Sequence, residues 1–266
     1  MSKPIIHFAH ANGFPAKTYN KLFSFLADEY EINYLERHAH NPIYPVTDGW
    51  ERLRDELRDE IEKRYTEKII GIGHSLGGVL HLLVAAEKPE FYERIILLDA
   101  PIISRFSSFS LRLMKISKTI DRFTPAQVTR YRRNLWQSKN EVYEHFKTKP
   151  KFEAFDDEVL RDYAEHATFE TGDGLKLFFK PSIEAKIYQT LPHQLPKLKG
   201  KLKVPIAYIG GTNSREAELA RLSFMKKNFD IEFYQIEGSH LFPLEKPSET
   251  AIQIKNILSD KSRPAS

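Results

Sequence analysis

Residues 68–88 read KIIGIGHSLGGVLHLLVAAEK. KIIGIG is a short apolar run of the kind that forms a buried strand, and LGGVLHLLVAAEK is a mostly apolar helix that Pro89 ends. Between them lies Gly73-His74-Ser75-Leu76-Gly77, a G-x-S-x-G sequence on a strand-to-helix turn. So sharp a turn forces the serine into a strained backbone conformation. Its neighbours two residues away on either side must then lack bulk. The turn lifts Oγ clear of the sheet edge and sets it at the positive end of the following helix. A plain tight turn is the bland alternative; the context favours Ser75 as a nucleophile.

Working outward, PIIHFA (4–9), EINYLE (31–36), RIILLD (94–99), VPIAYIG (204–210) and IEFYQI (231–236) repeat the apolar strand pattern. Between them fall helical patterns: Trp50, Leu53, Leu57 and Ile61 behind a Thr47 or Asp48 cap, then about 215–228 and about 247–259. Strands alternating with helices imply parallel strands joined by crossovers and covered on both faces. The expected fold is therefore α/β, a doubly wound, mostly parallel sheet of about six strands. Residues 102–200 break the alternation with helical patterns at about 106–121, 125–148 and 156–168, a TGDG turn at 171–174 and a linker rich in Pro and Lys. They are expected to form an inserted helical lid over the carboxyl edge of a core made of residues 1–101 and 201–266. The final DKSRPAS is expected to fray.

The 266 residues suffice for one large core, and 41% hydrophobic with 29% charged residues is the balance of a folded domain. No apolar run nears the roughly 20 residues that a membrane span needs. The N-terminus lacks a signal-type apolar region, and there is no Cys for a disulfide framework or thiolate chemistry. Both features favour the cytoplasm. A net charge of +4 is too mild to imply nucleic acid. Residues 101–150, however, hold 11 Lys and Arg against 3 Asp and Glu. That excess is either a solvated helical face or a weak contact site for anionic surfaces, substrates or a partner.

A serine hydroxyl needs a base within hydrogen-bond reach. Of the ten histidines, His240 in EGSHLFPLEKP follows the last strand, on the sheet edge that carries Ser75. It is the expected base, in the chain order of this scaffold, with nucleophile first and histidine last. His74 is expected to point away from the site, and His10 to brace its own loop. HAH at 38–40 is read as loop or surface rather than as a metal-ligand pair. Acyl transfer also requires donors for the developing oxyanion. The backbone N–H of Leu76 is one; the turn HANGFPA after the first strand should supply the other, at Ala11 or Asn12.

With these pieces in view the chain resembles the α/β-hydrolase family over nearly its whole length. FAHANGFPAKTY resembles the family's oxyanion loop, GHSLGG its nucleophile elbow, GSHLFPLEKP its histidine loop and 102–200 its variable lid. The likeness is nearest to lipase- and esterase-like members, so it implies hydrolysis of acyl esters by a Ser-His-acid triad. Two departures stand out. Only nine residues precede His10, so the leading antiparallel strands common in the family are expected to be missing. The resemblance also implies a triad acid after the strand 204–210, where Asn213 and Ser214 stand instead. Asn can hold an imidazole tautomer but cannot stabilise the imidazolium. Some members keep the acid after the preceding strand of the sheet, and Asp99 ends that strand here. A carboxylate at the end of an apolar strand is rare unless paired or hydrogen-bonded. Asp99 is thus the expected acid, with helix or turn capping as its bland role and Glu216 or Glu218 as substitutes.

No H-E-x-x-H, G-x-G-x-x-G or P-loop pattern occurs, so neither metal nor cofactor is expected. The combined expectation is a carboxylesterase or lipase-like serine hydrolase working through an acyl-enzyme on a small ester with an apolar acyl group. Phe106, Phe109, Leu113, Trp136, Leu241 and Phe242 are candidate linings of the acyl site, with core packing as the bland role of each. Thioester, lactone, amide or C–C bond cleavage would use the same triad, whereas epoxide hydrolases and haloalkane dehalogenases of this fold use Asp as nucleophile. A catalytically idle binding protein of the same fold is the alternative from another class.

Overall fold

Strand β3 (Ile69–His74) is buried at every residue, as its unbroken apolar run requires. It lies inside a six-stranded sheet with β1 (Ile5–Ala9), β2 (Glu31–Tyr34), β4 (Tyr92–Leu98), β7 (Ile206–Gly211) and β8 (Glu232–Ile236), in the order β2-β1-β3-β4-β7-β8. Every pairing in this sheet is parallel. The computed structural model describes residues 3–260; the tail expected to fray lies, from residue 261 on, outside the described residues.

Because successive side chains in a strand face opposite ways, each strand feeds two cores. Phe8, Ile72, Leu98 and Ile209 pack on one face with α1 (Asn20–Leu26) and α12 (Pro247–Ser259). Ile69, Ile95, Leu97 and Tyr208 pack on the other with α2 (Glu51–Arg64) and α3 (Leu76–Ala85). The order reverses between β1 and β3, since β1 leads to β2 on one side and β3 to β4 on the other. Such a switch point opens a crevice at the carboxyl ends of the two strands. The loop after β1 and the elbow after β3 meet there.

The insertion between β4 and β7 holds α4 (Arg105–Ile116), α5 (Ala126–Arg130), α6 (Lys139–Lys147), α7 (Asp157–His166) and α8 (Pro181–Gln189). Three expectations need correction. The helix over 125–148 is two separate helices, because Trp136 leaves the helical path to bridge Leu175 and bury itself fully. The TGDG turn closes an unforeseen antiparallel hairpin, β5 (Thr168–Thr171) with β6 (Gly174–Leu177). The helix over 215–228 breaks at Arg221, whose φ of 56° ends α9 (Arg215–Ala220) and starts α10 (Leu222–Asn228). The short helix α11 (Phe242–Glu245) links β8 to α12.

The HAH turn at 38–40 is a loop, as expected, but not a surface one. His38 is fully buried with Nδ1 at 3.8 Å from Glu56 Oε2, and its N–H donates to His10 Nε2 at 2.9 Å.

Candidate active site

Ser75 adopts φ 52° and ψ −112°, a conformation that costs an L-residue on the order of 1–3 kcal/mol. The flanking glycines make it accessible. A Cβ on Gly77 would stand 2.0 Å from Ala9 O, and one on Gly73 would stand 2.3 Å from Gly78 N. The elbow is tied to the neighbouring strand by Ser75 N–H donating to Leu98 O at 2.9 Å.

One residue beyond Leu98, Asp99 is fully buried, with φ 45° and its N–H donating to Ile209 O at 2.8 Å. Its Oδ1 accepts the Tyr208 hydroxyl at 2.7 Å and its Oδ2 lies 3.2 Å from His240 Nδ1. Burial and the adjacent carboxylate both push the Tyr208 phenol far above its ordinary pKa, so it stays a donor. This arrangement lets His240 Nδ1–H donate to Asp99 Oδ2. The Nε2 atom is thereby left as the acceptor. Glu216 Oε2 stands 3.9 Å from the same Nδ1 but is half-exposed, and Asn213 is exposed.

The turn after β7 has another task. Asn213 N–H donates to Gly238 O, Thr212 N–H donates to Ile236 O, and a Cβ on Gly211 would stand 2.2 Å from Ser239 O. The backbone of this turn thus supports the histidine loop directly. Glu245 completes the support, its Oε2 accepting from Ser239 N–H at 2.9 Å while the Ser239 hydroxyl donates to Oε1.

His74 is turned away from Ser75, as expected, into a second support. A carbonyl only accepts, so His74 Nε2–H donates to His240 O at 2.8 Å and Nδ1 accepts the Tyr19 hydroxyl at 2.7 Å. Tyr19 in turn accepts from Ala11 N–H at 3.3 Å. Burial holds the His74 pKa down at about 3, so the ring stays neutral in this chain. The Ala11 N–H is thereby engaged and turned from the oxyanion role expected of it. Asn12 N–H has no acceptor among the described residues, and Leu76 N–H opens α3 without an intrahelical partner. The Asn12 side chain is fixed by donating to Glu184 O at 3.1 Å. His10 braces the loop, donating from Nδ1 to Ala11 O at 2.8 Å.

Ser75, Asp99 and His240 border one cavity of about 320 Å³ whose walls are otherwise almost wholly apolar. Leu111 and Met114 of α4, Trp50, Val79, Leu191 and Leu219 are among the apolar residues that line it. None of the six residues expected to line it does so. Trp136, Leu241 and Phe242 are buried in the core, and Phe106, Phe109 and Leu113 face solvent. The reason is helix phase: residues 107, 111 and 114 share the inward face of α4, and 106, 109 and 113 the outward one. Trp50 sits before α2 at φ 60° instead of inside that helix.

Tyr208, Tyr19 and Glu245 escaped the sequence reading. Only Tyr208 left a signal there, as a hydroxyl in an otherwise apolar strand. Among the described residues no group of three or more His, Cys, Asp and Glu side chains could hold a metal ion, and no helix is long and apolar enough to cross a membrane.

No curated protein matches the chain by sequence. Among solved structures it is similar to E-2-(acetamidomethylene)succinate hydrolase, with a TM-score of 0.80, 18% identity and coverage of 97% of this chain and 92% of that one. It is also similar to the thioesterase domain from the curacin biosynthetic pathway (0.69, 12%, 96% and 91%). A third similar structure is the enol-lactonase from Burkholderia xenovorans LB400 (0.65, 14%, 98% and 93%). Likeness at these identities concerns the fold alone. The sequence itself matches the alpha/beta hydrolase family over residues 8–253, the span that carries the elbow, the buried Asp99 and the histidine loop, and the chain belongs to that family.

Proposed function

We propose that the protein hydrolyses carboxylic esters of small molecules with an uncharged, apolar acyl group, through an acyl-enzyme on Ser75. One observation carries the reading: the Asp99–His240 pair at 3.2 Å opens, together with Ser75, on an apolar cavity. Ser75 Oγ attacks the ester carbonyl while His240 Nε2 takes its proton. Asp99 holds the Nδ1–H and stabilises the imidazolium. The tetrahedral oxyanion accepts from the N–H groups of Asn12 and Leu76. The imidazolium then gives its proton to the departing alcohol. Water, deprotonated by the same ring, frees the acid and restores the serine.

The acyl preference follows from the walls. Among the described residues, Asp99, Glu216 and His240 are the only ionisable ones lining the cavity, and none that lines it is a permanent cation. A substrate carboxylate would lose its water beside two acids without a counter-charge. The test is a p-nitrophenyl series from acetate to palmitate together with a succinate half-ester, with Ser75→Ala as control. Hydrolysis of the neutral esters, lost in Ser75→Ala along with labelling by a fluorophosphonate probe, is expected. Turnover retained by Ser75→Ala, or a preference for the half-ester, would refute it. Thioesters and lactones present the same carbonyl and belong in the same panel.

A further inference from the structure

We propose that the outward face of α4, with the basic groove beside it, docks this protein on anionic phospholipid surfaces. The inference does not depend on which ester is cleaved.

Phe106, Phe109, Leu113 and Ile116 are three, four and three residues apart and form one stripe along α4. All four are open to solvent, Phe106 and Ile116 at 69% each. A contiguous run of large apolar side chains on a helix is rarely left in water without a partner. Its border on one side is cationic, whereas Glu218 and Arg221 stand together beside Phe106 on the other. Arg105 and Arg112 flank the stripe and, with Lys197, line a groove of about 360 Å³ whose remaining walls include Phe109, Ser108 and His193. No acid lines this groove, and none of its three permanent cations has an ion-pair partner among the described residues. The nearest carboxylate to His193, Asp48 at 3.8 Å, is already engaged by Lys115.

Charge complementarity selects the occupant. Unpaired cations beside exposed aromatics suit a surface that is negative at the headgroup level and apolar just below it, which is an anionic bilayer. The inward face of the same helix supplies Ser107, Leu111 and Met114 to the Ser75 cavity. Docking through α4 would therefore bring the cavity wall against the bilayer.

The test is cosedimentation of the full chain with phosphatidylcholine vesicles, with and without phosphatidylserine, at low and high salt. Binding to the anionic vesicles alone, weakened by salt, is expected. Ile116→Asp and Arg112→Glu should each weaken it about tenfold, with melting temperature and turnover of a soluble short ester unchanged. Absence of binding to anionic vesicles at low salt would overturn the proposal. So would unchanged binding by both variants. If the wild type is a dimer that Ile116→Asp dissolves and vesicles are not bound, a second copy covers the stripe and the proposal fails. Loss of soluble-ester turnover in the wild type would count against the ester reading alone.

Discussion

Asp99 and His240 lie 141 residues apart in sequence and meet at 3.2 Å between Oδ2 and Nδ1. The carboxylate directly follows β4, which pairs with the strand that leads to Ser75, and the turn after β7 carries the exposed Asn213. The two sites are neighbours because β4 and β7 pair directly, so a histidine loop after β8 can reach an acid on either strand.

Asp99→Asn should lower kcat on a short p-nitrophenyl ester by about three to four powers of ten, since an amide cannot stabilise the imidazolium. Asn213→Ala should stay within a few fold, its side chain being exposed. Equal losses in the two variants would remove Asp99 from the proposed triad.

Tyr208→Phe removes the hydroxyl that donates to Asp99 at 2.7 Å. A hydrogen bond to a buried carboxylate is worth about 1.5–3 kcal/mol. Denaturant midpoints should show a loss of that order, accompanied by a modest fall in kcat as His240 loses a fixed partner.

Ser75→Gly should abolish ester turnover and at the same time stabilise the fold by about 1 kcal/mol. Glycine adopts the φ of 52° without the strain that serine carries there. A melting temperature at or below that of the wild type would contradict the strained elbow.

Gly77→Ala should destabilise by about 3 kcal/mol or more, because its Cβ would meet backbone, Ala9 O, at 2.0 Å and not a flexible side chain. Soluble yield and chemical unfolding measure this directly.

Stability should fall on mild acidification. Burial pulls His74 and His81 down to about 3 and holds His7 and His10 well below their ordinary value. In the unfolded chain these rings titrate near pH 6.5. Below that pH the unfolded state takes up protons that the folded state refuses, so each ring subtracts up to about 1.4 kcal/mol per pH unit. Above about pH 7 the four contribute no slope. Guanidinium midpoints should be level between pH 8 and 7 and then drop through pH 6 to pH 5; a flat curve down to pH 5 would mean that these rings take up protons in the fold as readily as in the unfolded chain.

The elbow, the alternation of strands and helices and the insertion between β4 and β7 were all legible in the sequence. Each is a local pattern, set by which residues suit a buried strand, a helix or a turn without room for a Cβ. The sharp turn demanded glycines, so Gly73 and Gly77 announced Ser75. Asp99 was legible only as an anomaly, a charge at the end of an apolar strand.

Other features rest on contacts distant in sequence. Tyr208 on Asp99, Tyr19 through His74 to the His240 carbonyl, and Glu245 on Ser239 each join segments that no periodicity connects. The choice between Asp99 and a carboxylate near Asn213 likewise depended on where the histidine loop lands. The cavity lining was misread for a related reason: an apolar helical stripe announces a face, but only packing decides whether it turns to the cavity or to water. In α4 Leu111 and Met114 turn inward and Phe109 and Ile116 outward. Sequence thus determined the core strands and helices and the turn on which Ser75 sits, while the tertiary structure decided which distant groups converge there, because convergence is a property of strand order and loop placement.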